Sequence, residues 1–329
     1  MGKVTILGAG ITGLAIASQL PKNPDITMVA RNFPGDEDSQ EWASPWAGAI
    51  FMPMDPSTET EQKMQLESFR VRWELARRYP DSGVSHVEME DLIDATTLDK
   101  VWYRNKLPGF RVLSKEELPP GAPLGMAYKS IILQPPVFLV WQKKRVEASS
   151  VKFLRRTVTS LTELKDMGHD VLIMLRLQEV RGRTVLVGLK FNRIRIRRGK
   201  DYTYALGRPD GTTILGGIKQ YDNAVTNVDA HLRKIHENLP KDFPSDAKDF
   251  KVFGDIVGMR PQRVGGARVE KEFLGDQAVL HAYGFPEGGY IAGWGLAREV
   301  CRFVDEPQLP IPRVTMLPRA ELILKDKLN

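Results

Sequence analysis

The chain has few of the residues that build disulfides and metal centres. It has a single cysteine, Cys301, and 5 histidines among 329 residues, so an internal disulfide and a multi-cysteine metal site are both excluded. The histidines show no ligand spacing and complete no serine or cysteine triad, so no metal is expected. No apolar run approaches the ~20 residues needed to cross a bilayer, and no cleavable signal pattern opens the chain, so no membrane association is expected. A strong excess of one charge is missing too: 47 Lys+Arg face 41 Asp+Glu, a net charge of +6. That balance favours small anionic ligands over nucleic acid. Arg193, Arg195 and Arg197 alternate with Asn192, Ile194 and Ile196, which predicts a strand with a solvent-facing arginine side rather than a nucleic-acid stripe.

What is present begins with a strand, a glycine turn and a helix. Val4–Leu7 is short and apolar, Gly8, Ala9, Gly10, Ile11, Thr12 and Gly13 follow, and Leu14–Leu20 reads as helix before Pro21. A second strand, Ile26–Ala30, completes a β-α-β unit of the dinucleotide-binding kind. Thr60–Arg78 carries an amphipathic helical pattern with Leu66, Phe69, Val71, Trp73 and Leu75, and Pro136–Ala148 reads as a further helix. Ile131–Leu133, Val151–Phe153 and Val171–Ile173 read as strands, with Val158 in an extended piece between the last two. From Thr184 the pattern turns antiparallel: Thr184–Val187, Phe191–Arg197, Tyr202–Leu206 and Thr213–Leu215, with Asp210-Gly211 as a hairpin turn. Val228–Leu239 suggests a helix, Phe250–Met259 an extended segment, and a last helix is expected from near Gly295 to Val304.

The glycine turn carries the sharpest chemistry. Gly8 permits the turn, Gly10 permits close approach of a pyrophosphate, and Gly13 permits helix-to-strand packing. The helix start then offers unpaired N–H groups to phosphate charge. The second strand ends in Ala30, Arg31 and Asn32, with no acidic ribose ligand, so the pattern alone leaves FAD, NAD and NADP open. Ser44 with Ala47, Gly48 and Ala49 forms a small-residue loop able to lie against an extended cofactor. Arg260, in Gly258-Met259-Arg260-Pro261, is the candidate carboxylate anchor, because a guanidinium grips a carboxylate through two parallel bonds. Tyr204 can add a hydroxyl to the same group. Gly284-Phe-Pro-Glu-Gly288-Gly289-Tyr290 is a glycine-rich loop able to aim N–H groups at a cofactor ring, and His281 before it reads as a packed strand residue.

Taken together, VTILGAGITGLAIASQL, EWASPWAGA, VKFLRRTVTSL, RGKDYTYAL, TTILGGIKQYDN, VGMRPQR and HAYGFPEGGYIAGWG resemble the D-amino-acid oxidase family, its fungal members above all. D-aspartate oxidases share the architecture. The resemblance implies an α/β plus antiparallel β fold, an FAD-binding Rossmann-like domain with an inserted, mainly β substrate domain. The FAD-binding domain is expected from 1–50, 130–180 and 270–305, the substrate domain from 51–129 and 181–269, and a C-terminal arm over 306–329. FAD would contact Gly8, Gly10, Ile11, Thr12, Gly13, Arg31, Asn32, Ser44, Ala47, Gly48, Ala49, Val158, Gly288, Gly289, Tyr290 and Ile291. Arg260 and Tyr204 would fix the substrate carboxylate, with Glu287 near the substrate. The implied reaction is direct hydride transfer from the Cα of a D-amino acid to flavin N5, giving a 2-oxo acid, ammonia and hydrogen peroxide. No catalytic base is required, and the partners are a D-amino acid and molecular oxygen, with a homodimer left open.

The sequence also departs from that family. The Asn-Ala-Thr/Ser-Gly segment expected after the VLI strand is replaced by Met174 and Leu175, and Arg183 stands for a glutamine. Pro286 and Glu287 occupy a loop that favours small residues, and Gly207 replaces a proline, which predicts a loosened strand end. These departures keep a catalytically impaired homologue as one alternative and D-aspartate oxidase as another. The tail ends Lys327-Leu328-Asn329 without a Ser-Lys-Leu-type address, so the expected location is the peroxisome by resemblance, or the cytoplasm for want of that signal.

Overall fold

The elements that surround the site come from far-separated parts of the chain. In the computed structural model, residues 2–20, 25–36, 42–94, 96–175, 178–199, 202–220, 251–263, 266–285 and 288–305 are described. In chain order they form β1 (Val4–Leu7), α1 (Ile11–Gln19), β2 (Ile26–Ala30), α2 (Glu59–Arg78), β3 (Val84–Ile93), β4 (Arg111–Val112), β5 (Leu124–Leu133), α3 (Pro135–Glu147), β6 (Lys152–Arg155), β7 (Val171–Met174), β8 (Gln178–Val187), β9 (Arg193–Arg198), β10 (Thr203–Gly207), β11 (Thr213–Gln220), β12 (Val252–Gln262), β13 (Arg268–Leu274), β14 (Gln277–Tyr283) and α4 (Gly289–Asp305). The helix expected over Val228–Leu239 and the C-terminal arm lie outside the described residues. Among the described residues no helix is long and apolar enough to cross a membrane.

One sheet has the order β13-β14-β7-β1-β2-β6. β1, β2 and β7 are near-continuous apolar runs, as strands covered on both faces must be. They pair in parallel, with Val4 opposite both Ile26 and Val171. Antiparallel β13 closes one edge. The second sheet has the order β12-β8-β11-β10-β9-β3-β5-β4 and is mostly antiparallel. Its β10–β11 hairpin turns at Asp210-Gly211, where Gly211 has φ +84° and Thr212 N donates to Asp210 Oδ1 at 2.9 Å. The dipeptide predicted this turn. Gly207, expected to loosen the end of β10, does the opposite: a Cβ there would collide with the Phe191 carbonyl oxygen, so glycine lets the two segments close.

The arginine row of β9 is not a solvent face. β3 pairs with β9 in parallel, setting Glu88 opposite Arg193 and Glu90 opposite Arg195. Arg195 is buried and paired with Glu90, and Arg197 pairs with Asp94 at 2.9 Å. At the end of the row Arg198 donates to both oxygens of fully buried Asp91, at 2.9 and 2.7 Å. Tyr103 and Tyr128 donate their hydroxyls to the same carboxylate at 2.7 and 3.2 Å. A carboxylate and guanidinium satisfied on this many sides tolerate burial that neither would survive alone.

α2 begins with a capping box, Thr58 and Glu61 bonding each other's backbone N–H, as Thr-x-x-Glu requires. Its buried residues are Met64, Gln65, Ser68, Phe69 and Arg72 rather than the larger apolar set from Leu66 to Leu75. That face meets α4, where Ser68 Oγ accepts from Trp294 N and Gly295 N at 3.1 and 3.0 Å. A Cβ at Gly295 would strike the Met64 backbone, so the helices cross at a distance only small residues permit. α4 itself starts at Gly289, six residues before the expected Gly295. Its opening glycines look like loop in sequence, yet the Gly288 carbonyl accepts from Ile291 N and Ala292 N and closes the first turn.

Candidate active site

A cavity of about 850 Å³ takes its walls from both sheets. At its centre is the turn from β1 into α1. Gly8 has φ +122°, a value glycine tolerates and other residues rarely adopt. A Cβ at Gly13 would collide with the Gly8 carbonyl oxygen, and one at Gly10 would lie 2.7 Å from Ser44 Oγ. The first bond inside α1 runs from Leu14 N to Gly10 O, so the Ile11, Thr12 and Gly13 amides have no acceptor within the helix. Ile11 N donates to Ser44 Oγ at 3.1 Å; Thr12 and Gly13 present theirs at the helix's positive end, which has no acidic residue in its first turn. This donor set fits a pyrophosphate.

Arg31 and Asn32, at the end of β2, border the cavity on one side together with Arg156, Thr157, Val158 and Thr159. On the other side Ala47, Gly48 and Ala49 line it with Gly288, Gly289, Tyr290 and Ile291. Ser44 ties these parts together, because Tyr290 donates its hydroxyl to the Ser44 carbonyl at 2.9 Å. Every cofactor residue expected from the sequence thus borders one cavity.

The far wall belongs to the second sheet: Tyr202, Tyr204, Ile196, Leu206, Thr184 and Ile256. Tyr204 is 6% exposed and stands opposite Gly216 across the hairpin. A Cβ at Gly216 would collide with the hydroxyl end of the Tyr204 ring, and one at Gly217 would strike Tyr202 and Tyr204. The two rings meet edge to face, with centroids 5.7 Å apart. The role of Gly216 and Gly217 was missed in the sequence, although a signal existed: Tyr204 and Gly216 are equidistant from Asp210, the centre of a turn that could be recognised. Arg260 lies on β12 opposite Val180, the strand that brings Ile256 to the cavity; its side chain, like all of Pro286 and Glu287, lies outside the described part of the structure. β10 and β12 are separated in the sheet by β11 and β8.

Among the described residues lining the cavity there is no Asp, Glu, His, Lys or Cys. His281 sits behind the wall, 3% exposed, with Nε2 2.9 Å from Glu272 Oε2. Burial, with the nearby Arg268 cation, holds its pKa below the usual histidine range despite that carboxylate. It is a packed strand residue, as the sequence suggested.

Leu175, directly after β7, covers the glycine turn. Its Cδ1 would lie 3.0 Å from a Cβ at Gly13, and its Cβ 3.4 Å from one at Gly8. A branched side chain therefore borders the cavity beside the glycine turn, at one of the two positions where the sequence departs from small residues. We expect Leu175→Ala to tighten FAD binding by about tenfold, a gain of about 1.4 kcal/mol, since the shorter side chain leaves the cofactor more room beside the turn. Quenching of FAD fluorescence on titration measures this. Weaker binding by the variant would instead mean that Leu175 packs productively on the cofactor.

The family described as FAD dependent oxidoreductase matches residues 3–303. The chain belongs to it. FAD is therefore the cofactor, and the glycine turn, the open amides of α1 and the cavity beyond them suit it. Within this FAD dependent oxidoreductase family, a D-aspartate oxidase from Talaromyces thermophilus is 32% identical over 352 aligned residues, covering 92% of this chain and 95% of the relative. A D-amino-acid oxidase from Fusarium vanettenii is 28% identical, covering 92% and 96%. In fold the chain is similar to glycine oxidase from Geobacillus kaustophilus, with TM-score 0.69, 16% identity and coverage of 96% and 98%. The Rossmann-like α/β domain joined to a β-rich region is shared with that structure.

Proposed function

We propose that the protein carries out FAD-dependent oxidative deamination of D-amino acids with neutral side chains, forming a 2-oxo acid, ammonia and hydrogen peroxide. The observation that carries this reading is the cavity wall: a buried tyrosine at the second sheet, and no acid or base among the described lining residues. When bound, FAD supplies the two-electron acceptor for the substrate's Cα hydrogen, and molecular oxygen reoxidises it. The chain's own residues bind, orient and exclude water. Thr12 and Gly13 turn their amides toward the pyrophosphate. Tyr204 and Arg260 hold the substrate carboxylate. With no acid or base among the described lining residues, the amine enters neutral, and rate depends on placement rather than proton abstraction.

In this reading the segments 1–50, 130–180 and 270–305 hold FAD, and 51–129 with 181–269 hold the substrate. The arginines described at the cavity, Arg31 and Arg156, flank the β2 end, whereas Ile196, Leu206, Ile256 and Met52 are apolar. That distribution favours neutral over acidic side chains. The relative named D-aspartate oxidase supports a second reading, oxidation of D-aspartate. Coupled assay of ammonia and peroxide with D-alanine, D-methionine, D-aspartate and their L-forms tests both. We expect turnover of the neutral D-forms at least tenfold above D-aspartate; preference for D-aspartate establishes the second reading, and turnover of L-forms alone contradicts both.

A further inference from the structure

Arg72 is the most unusual charge in the molecule. It is fully buried on α2, and neither Nε nor Nη1 has a hydrogen-bond partner. Among the described residues its one hydrogen bond is long, from Nη2 to the Gly289 carbonyl at 3.5 Å. The guanidinium otherwise rests on aromatic rings, 4.9 Å from the Trp294 centroid and 5.8 Å from that of Tyr290. Among the described residues no carboxylate pairs with it. Burial draws its pKa down to about 9, which still leaves it charged at neutral pH. An uncompensated buried cation is costly, and cation–π contact with two rings offsets only part of the cost.

Its position gives that charge a use. Gly289 and Tyr290 line the cavity, and Arg72 stands immediately behind them. They open α4, whose first bonds run from Ile291 N and Ala292 N to Gly288 O. The Gly289 and Tyr290 amides thus have no acceptor within the helix, and its positive end faces the same wall. In a dinucleotide fold the pyrophosphate lies on the first helix and the adenosine half at the end of the second strand, here Arg31 and Asn32. The flavin half is left the opposite end, between residues 288–291 and the second sheet. Reduction adds two electrons and one proton to the flavin and leaves the ring anionic.

We propose that Arg72 is the buried counter-charge of the flavin, favouring its reduced, anionic form through the wall made by Gly289 and Tyr290. Arg72 acts at a distance from the reacting atoms and needs only bound FAD, so the test is independent of which substrate the enzyme oxidises. The midpoint potential of the FAD-loaded full chain is measured by dye equilibration without substrate, for wild type and for Arg72→Met, Arg72→Gln and Arg72→Lys. Sulfite affinity, read from loss of the flavin absorption band, provides a second reading. The two neutral variants should weaken the two-electron equilibrium and sulfite binding by about tenfold each, the former equal to about 30 mV; lysine should restore most of both. Unchanged potential and sulfite affinity in a neutral variant that loads FAD would overturn the proposal, even if its melting temperature fell. If both neutral variants fail to load FAD, Arg72 belongs to folding and the proposal also falls.

Discussion

Gly13→Ala should lower FAD affinity by roughly 100-fold while leaving the second sheet folded. The added Cβ has no room, because the Gly8 carbonyl oxygen already occupies its place and Leu175 Cδ1 lies 3.0 Å away. Two obstacles of different kinds meet there. A leucine tip can rotate aside, but the carbonyl belongs to a turn fixed by Gly8 N donating to Val29 O at 2.8 Å. Relief must come from α1 lifting off β1, which carries the Thr12 and Gly13 amides away from the phosphate. Over-packing of about 1–3 kcal/mol together with lost phosphate bonds accounts for the expected factor. The check is FAD titration beside circular dichroism of the FAD-free protein. Binding within threefold of wild type would show that the amides of α1 do not hold the cofactor.

Arg260→Leu should reduce kcat/KM for D-amino acids by roughly 100- to 1,000-fold, since removing the charged partner of a bound carboxylate costs about 2–5 kcal/mol. The FAD spectrum should be unchanged, because no expected cofactor contact involves β12. Arg260→Lys should recover only part of the loss, as a point charge cannot reproduce a two-pronged grip. Tyr204→Phe, removing one neutral hydroxyl, should cost less, about tenfold. Steady-state kinetics with parallel flavin spectra separate these effects. An Arg260→Leu enzyme with wild-type kcat/KM would remove Arg260 from the carboxylate site and leave Tyr204 as the remaining candidate.

What could be read from the sequence was local. The glycine turn, the first two strands and the Asp210-Gly211 hairpin each depend on residues a few positions apart, and each stands where the pattern put it. The arginine row misled because its carboxylates come from β3, about a hundred residues earlier, through a parallel pairing that no local pattern announces. The start of α4 was misplaced for a related reason. Gly289, Gly293 and Gly295 lower helix propensity, but Gly295 passes close to the Met64 backbone and Gly289 lies close against Ile11, where a side chain has no room. Ser44 was legible as a cofactor-side residue, while its second role, accepting the Ile11 amide, depends on a loop returning to α1. Arg72 offered no sequence signal at all: within a helix rich in charge, burial of one arginine depends entirely on which face meets α4.

The central claim is that this family member oxidises D-amino acids at a cavity that binds FAD. Its most direct test is the absorption spectrum of the purified, FAD-loaded protein during anaerobic addition of D-alanine or D-methionine, with the L-forms as controls. The account predicts that the flavin bands bleach with the D-forms, do not change with the L-forms, and return when oxygen is admitted. Flavin bands that persist through every D-amino acid addition would contradict it and leave an FAD-binding homologue without this activity.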